Sequence, residues 1–245
     1  MDFERLKGKI VRWLREKANK AGATGGVVGL SGGIDSTLVA YLSKEAYGEG
    51  FLPLFLPCQS KKADFEDAKL VEEFLGMKAE VVDLNPIYNT LCSIFPGGTK
   101  ISQANLKPRL RMLTLYYFAN TYNKLVVGTG NKSELMLGYF TKYGDGGVDI
   151  LPLGDLYKTQ VRELARYLGV PEKILNKPPS AGLWEGQTDE GEIGLSYEEV
   201  DRILKAIEKS EDLSNFSQKS VRKVREMMER SSHKLKMPEV FKVPI

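Results

Sequence analysis

Val27-Val28-Gly29-Leu30-Ser31-Gly32-Gly33-Ile34-Asp35-Ser36-Thr37 is the stretch on which the reading of the fold turns. Its first four residues are apolar and short, as in a buried strand, and Leu38-Val39-Ala40-Tyr41-Leu42 opens a helical pattern. The Ser/Gly segment is then the turn between strand and helix. Gly32 and Gly33 allow a tight curl and a close approach of backbone to ligand. Ser31, Ser36 and Thr37 bring hydroxyls, and the first helical N–H groups point into the same space. Such a nest at a positive helix end binds phosphate. Asp35 would repel phosphate unless a cation lies between them, and Mg²⁺ suits that place. The plain alternative is a Gly/Ser turn with no ligand.

Outward from this stretch, apolar residues at helical spacing predict a helix over 3–20, and a loop at 21–26 leads into the first strand. The helix after the turn runs to about Tyr47 and stops at Gly48-Glu49-Gly50. A strand follows at 51–56, a helix at 63–75 closed by Gly76, a short strand at 79–84 and a helix at 85–95. The stretch 102–120 reads as one long helix with Leu110, Leu113, Leu115 and Phe118 on its apolar face. Residues 125–127 form the fourth strand and 133–137 a short helix. Strands alternating with helices predict an α/β fold, a doubly wound parallel sheet flanked by helices. Ligands of such sheets sit beyond the strand C-termini, where Ser31, Asp83 and Thr129 all fall.

Beyond Phe140 the pattern changes to a helical C-terminal part. Helices are expected at 158–168, 171–175, 196–207 and 217–230, with an extended tail at 237–245. Thr141 to Gly147 carries too many glycines for regular structure. The segment 177–194, with two prolines and four glycines, reads as a mobile surface loop long enough to be a lid.

Composition narrows the function. A length of 245 residues suits one large domain or two small ones. Thirty-five Lys+Arg against 32 Asp+Glu leaves a formal charge of +3, too weak to argue for nucleic acid as a partner. There is no apolar run of membrane-spanning length, and the first residues lack a signal-peptide core. Cys58 and Cys92 have no Cys-x-x-Cys spacing, which fits a reducing interior and argues against structural zinc. His233 is the single histidine, so a Ser-His triad or a His-based metal site is excluded in practice. Catalysis must rest on carboxylates, cations and positioning.

Two motifs need weighing. The turn lacks the lysine of Gly-x-x-x-x-Gly-Lys-Ser/Thr, so it is not a Walker loop. Gly128-Thr129-Gly130 opens like a dinucleotide fingerprint, but the third glycine would be residue 133, which is Ser. A Rossmann dehydrogenase is thus a poor second reading, and a nucleotide-sensing module without turnover is the non-enzymatic one. Glu134 pairs with Asp35 as a candidate Mg²⁺ ligand, or is a solvated residue favoured by the helix dipole. Arg109 and Arg111 could be a solvated helix face, Lys142 and Lys158 surface lysines, and His233-Lys234 a solvated helix end.

Ser-Gly-Gly-x-Asp-Ser resembles the loop of the ATP pyrophosphatases, which cleave ATP between the α and β phosphates. Four blocks in order sharpen this: Gly29 to Ser36, Asn105-x-x-x-Arg109-x-Arg111-Met112, Gly128-Thr129-Gly130-x-x-x-Glu134, and Gly138-Tyr139-Phe140-Thr141-Lys142-Tyr143-Gly144-Asp145-Gly146-Gly147. Together they resemble ammonia-dependent NAD synthetase, within the N-type ATP pyrophosphatase superfamily and its adenine nucleotide alpha hydrolase-like fold. The resemblance covers essentially all of 1–245 as one synthetase domain with no glutaminase domain. It implies ATP- and Mg²⁺-dependent amidation of deamido-NAD by ammonia through an acyl-adenylate. Gly29, Leu30, Ser31, Gly32, Gly33, Ile34, Asp35 and Ser36 would hold ATP phosphates, with Thr129, Lys158 and Ser180 as further ATP contacts. Asp35 and Glu134 would ligate Mg²⁺, and Asp35 and Lys158 would serve catalysis. Arg109, Lys142, Asp149, His233 and Lys234 would contact deamido-NAD. A cytoplasmic homodimer with a substrate site shared between subunits is also implied. Asn131-Lys132-Ser133 and Pro108 depart from the family pattern.

Overall fold

A computed structural model describes residues 1–184 and 186–243. Helix α1 (Phe3–Ala21) starts where the Asp2 carboxylate accepts the Arg5 N–H at 3.0 Å, and ends at Gly22 in the left-handed region. It buries Ile10, Val11, Leu14 and Ala18. Strand β1 (Gly26–Leu30) leads through the Ser/Gly turn into α2 (Ile34–Tyr47), then β2 (Phe51–Phe55), α3 (Lys62–Leu75), β3 (Glu80–Val81) and α4 (Asn85–Ile94). Next come α5 (Lys100–Ala104), α6 (Leu106–Thr121), β4 (Leu125–Val126) and α7 (Lys132–Leu137). The C-terminal part is helical: α8 (Lys158–Tyr167), α9 (Glu172–Leu175), α10 (Asp189–Ile193), α11 (Tyr197–Glu208) and α12 (Gln218–Ser231).

The described strands pair in the order β3-β2-β1-β4, all parallel. The β1–β2 register runs from Gly26 opposite Phe51 to Leu30 opposite Phe55, and an isolated parallel bridge joins Val127 to Ile150. Successive side chains of β1 serve opposite faces. Val28 and Leu30 pack with α1, α2, α3 and α8, whereas Val27 packs with Leu84 and with Leu110, Phe118 and Ala119 of α6. This is the doubly wound arrangement. A third apolar cluster joins Leu137 and Tyr157 to α11 and α12, including Tyr197, Ile203 and Val224. From β1 the chain crosses to β2 on one side, while β4 lies on the other, so the crevice between β1 and β4 is a topological switch point.

The structure corrects four local expectations. Helix α2 begins at Ile34, so Asp35 lies in its first turn and not in a loop before it. The expected helix 102–120 divides at Asn105, whose Oδ1 accepts the Thr141 hydroxyl at 2.9 Å. Pro108 sits in the first turn of α6, where an N–H has no intrahelical acceptor anyway, and Leu113 faces outward at 63% exposure. Strand β3 shrinks to two residues because Asp83 bends to accept the Asn85 N–H at 2.9 Å, although Val82 and Leu84 still donate to Phe55 and Pro57. The end of 177–194, from Gln187 onward, is packed, not loose: Thr188 caps α10, and Gln187, Asp189 and Ile193 are buried. Glu185 within that segment, and residues 244 and 245 of the expected tail, lie outside the described residues.

Candidate active site at the switch point

The turn after β1 is held by its own hydroxyls. Ser31 and Ser36 share a hydrogen bond of 2.9 Å, Gly33 N–H donates to Ser31 Oγ at 3.2 Å, and Ser36 donates to Gly33 O at 3.0 Å. Thr37 is fully buried and donates back to Gly33 O at 2.8 Å, so its hydroxyl shapes the loop from behind. Gly32 has φ +70°, and a Cβ there would lie 2.7 Å from Cβ of Asp67. Only glycine meets both conditions.

The loop after β4 faces this turn. A Cβ on Gly128 would come within 2.6 Å of the Val148 side chain, so that glycine serves packing against the 148–151 segment. Asn131 then opens α7: its Oδ1 accepts the Glu134 N–H at 3.1 Å and Glu134 Oε2 accepts the Asn131 N–H at 3.2 Å. Its Nδ2 donates to Asp35 Oδ1 at 2.9 Å across the crevice. In sequence Asn131 stands out only as a departure from the family pattern. The spacing Asn131-x-x-Glu134 was the available signal, because it is a capping box that also points Glu134 toward the crevice.

Lys158, first residue of α8, completes the cluster. Only 2% exposed, its ammonium bonds Asp35 Oδ2 and lies 3.4 Å from Glu134 Oε1, with the Tyr197 ring 5.3 Å away. Burial alone would lower the lysine pKa, but the charges of Asp35 and Glu134 outweigh it and push the pKa up, so Lys158 stays cationic. Burial raises the Glu134 carboxyl in spite of Lys158, and the Asp35 charge adds to the rise. The buried Asp189 carboxyl is also raised by burial, with Lys158 opposing. Asp35 and Glu134 thus hold the ammonium between them, and Asp189 acts on it electrostatically. No group of three His, Cys, Asp or Glu in metal-binding arrangement occurs among the described residues. Asp35 and Glu134 already share one cation, the ammonium, and two carboxylates completed by phosphate oxygens is a usual setting for Mg²⁺. The donors fit that ion.

Beside Glu134 opens a cavity of about 230 Å³ lined by Thr129, Gly130, Phe140, Asp145 and Lys234 among others. Of the basic residues named from sequence, Lys234 lines this cavity, and a chain of bonds links Arg109, Lys142 and His233 to one another. An Arg109 guanidinium N–H reaches Lys142 O at 3.5 Å, and Lys142 Nζ donates to His233 O at 2.8 Å. Lys234 Nζ donates to Gly138 O at 2.6 Å and Phe140 O at 2.7 Å, which ties the end of the chain to the Phe140–Gly147 loop. Arg111 is not a solvated neighbour of Arg109, since its Nε donates to Leu56 O at 3.1 Å at the end of β2.

Two residues stand apart. Asp149 accepts the Tyr116 hydroxyl at 3.0 Å and the Val126 N–H at 2.8 Å, so its carboxylate braces β4. Ser180 is exposed, donates to Gln187 O at 2.8 Å and accepts the Gly182 N–H at 3.1 Å. Its hydroxyl closes the lid segment on itself. That segment is fastened at its base by Lys177 and Lys173 to Asp67, at 2.7 and 2.8 Å. Further along, Lys107 donates to Leu183 O at 2.8 Å, and the Lys100 ammonium lies 4.6 Å from the Trp184 ring centre.

Residues 6–238 match the family described as NAD synthase. The chain is 51% identical to the NH(3)-dependent NAD(+) synthetase of Carboxydothermus hydrogenoformans, over 98% of each chain. It is 52% identical to the protein of that name from Archaeoglobus fulgidus, over 99% of this chain and 98% of the relative. Among solved structures, an NMN synthetase from Francisella tularensis superposes with a TM-score of 0.90 at 38% identity, covering 99% of this chain and all of that one. An NH3-dependent NAD synthetase from Campylobacter jejuni superposes with a TM-score of 0.86 at 33% identity, with the same coverage.

Proposed function

The chain belongs to the NAD synthase family, and from that premise we propose that the Asp35–Lys158–Glu134 cluster is where it activates its acceptor. The reaction is the ATP-dependent amidation of deamido-NAD by ammonia, giving NAD, AMP and pyrophosphate. The observation that carries the assignment to this site is the Lys158 ammonium bound by both Asp35 and Glu134 at the β1/β4 switch point.

The chemistry follows from charge. The nicotinate carboxylate attacks the α-phosphorus of ATP, pyrophosphate leaves, and ammonia then displaces AMP from the acyl-adenylate. No protein nucleophile is required, so the residues bind, orient and neutralise. Backbone N–H groups and hydroxyls from Gly29 to Ser36, with Leu30 and Ile34 fixing the turn, would hold the leaving pyrophosphate. Thr129 would contact the nucleotide from the β4 side, and Ser180 from the lid. Lys158 would stabilise negative charge as it grows on the phosphates. Asp35 and Glu134 would hold Mg²⁺, which when bound supplies further neutralisation of the phosphate oxygens.

Arg109, Lys142, His233 and Lys234 would receive deamido-NAD near the cavity that Lys234 lines, with Asp149, which braces β4, as the further contact the family resemblance implies. An acyl-adenylate is water-sensitive, which gives the 177–194 segment a reason to cover the site. One synthetase domain over 1–245, a homodimer and a cytoplasmic setting complete the proposal. Among the described residues no helix is long and apolar enough to cross a membrane.

The purified chain, given ATP, Mg²⁺, ammonium and deamido-NAD, should form NAD and AMP in equal amounts. One solved relative is an NMN synthetase, so nicotinic acid mononucleotide belongs in the assay as a competing acceptor. Faster turnover of the mononucleotide would overturn the acceptor. Turnover unaffected by Lys158→Ala would overturn the site.

A further inference from the structure

Behind Lys158 lies a buried relay that the reaction does not itself use. Asp201, on α11, is fully buried. One of its oxygens, Oδ2, accepts the Thr159 N–H at 2.8 Å, and the other accepts the Ser133 hydroxyl. Ser133 Oγ accepts in turn the N–H of Lys158 at 2.9 Å. The Lys158 and Thr159 N–H groups belong to the first turn of α8, where no intrahelical carbonyl is available. A carboxylate at that end also complements the helix dipole.

Helix α8 is therefore capped by α11 through α7, from a residue 42 positions downstream of Thr159. Ser133 directly precedes Glu134. A single carboxylate thus holds the side chain of Ser133, the neighbour of Glu134, and through it the Lys158 N–H. The same helix supplies Tyr197, fully buried, with its ring beside the Lys158 ammonium. Neither Asp201 nor Ser133 touches the cavity beside Glu134.

We propose that Asp201, acting through Ser133, is a positioning residue that sets the spacing of Lys158 and Glu134, an inference that rests on the reading of Lys158 above. The relay joins the two backbones that carry the cluster, so loosening it separates the ammonium from the carboxylates while the substrate contacts stay in place. The expected consequence falls on the chemical step and not on binding.

Ser133→Ala removes the link to the Lys158 N–H and keeps the Asp201–Thr159 bond, whereas Asp201→Asn removes the charge. For Ser133→Ala, kcat should fall on the order of tenfold while KM for ATP and deamido-NAD stays within about twofold. Ser133→Thr, which restores the hydroxyl, should recover most of kcat. In a Lys158→Ala background the Ser133→Ala change should cost nothing further. If Asp201→Asn does not fold, Ser133→Ala decides alone. A folded Ser133→Ala enzyme with unchanged kcat overturns the positioning role. So does a loss spread equally over kcat, both KM values and melting temperature that Ser133→Thr does not repair. Full activity in Lys158→Ala alone overturns the reading of Lys158 instead.

Discussion

Asn131 Nδ2 donates to Asp35 Oδ1 at 2.9 Å, so the helix that follows β1 and the helix that follows β4 are tied across the crevice that separates them. The same side chain caps α7 through the Glu134 N–H. One buried amide thus holds both acidic members of the site, each in the first turn of its helix.

Asn131→Ala removes the cap and the bridge together. Loss of a cap costs about 1 kcal/mol, so the melting temperature should fall by a few degrees without loss of fold. Turnover should fall more than that stability change explains, because Glu134 and Asp35 lose their common tether. Calorimetry with steady-state kinetics checks this, and an Asn131→Ala enzyme of normal kcat would separate the cap from the site.

Asp35→Asn keeps shape but removes the charge that pairs with Lys158 and that, in the proposed reading, also holds Mg²⁺. Turnover should fall by orders of magnitude at ordinary Mg²⁺, and excess Mg²⁺ should not restore it. A folded Asp35→Asn variant with near-normal rate would show that Asp35 is no metal ligand.

The fastening of the lid base carries a pH signature. Burial raises the Asp67 carboxyl, but bonds from Lys173 and Lys177 together outweigh it and hold the pKa below the ordinary carboxylate range. A depressed folded pKa contributes stability that is complete above the unfolded value, about 3.9, and is lost as pH falls through the folded one. The melting temperature of the protein should therefore exceed that of Asp67→Asn at pH 7. The gap should narrow progressively below about pH 4. A gap that widened on acidification would contradict the ion pairs.

Much of this was legible in the chain, for reasons that differ by element. The turn from Val27 to Thr37 announces itself because apolar strand, glycine pair and helix are contiguous in sequence. The cluster of Asp35 with Glu134 was readable from motif order, since both follow strands of one parallel sheet. Lys158 could be named but its burial could not, because a lysine enters a core only when carboxylates from other elements wait there. The helix divides at Asn105, whose side chain is bonded to Thr141, 36 residues away, a contact that no local pattern carries. The packed end of the lid was missed for the same reason: Ile193 is buried against α11 and α12, and a Gly/Pro count over 177–194 does not register that.

The choice of acceptor is the feature the shared ATP loop cannot decide, and in the proposed reading it lies with Arg109, Lys142 and Asp149, of which Lys142 is the most direct to test. Its ammonium donates to His233 O and lies 5.3 Å from the Tyr143 ring, and no carboxylate pairs with it among the described residues. Its charge is therefore free to meet an anionic substrate. Arg109 stands beside it, reaching Lys142 O, and in the proposed reading the pair would present two cations to a molecule with a pyrophosphate and a carboxylate. Lys142→Ala should raise KM for deamido-NAD about ten- to a hundredfold, as a charge-assisted contact of roughly 1.5–3 kcal/mol requires. KM for ATP should move far less, because the phosphates of ATP lie at the Ser31–Ser36 turn in this reading. XMP and citrulline should release no pyrophosphate from ATP, and glutamine should not replace ammonium. Equal weakening of ATP and deamido-NAD by Lys142→Ala would make the Phe140–Gly147 loop a general nucleotide element and remove the basis for assigning the acceptor to it.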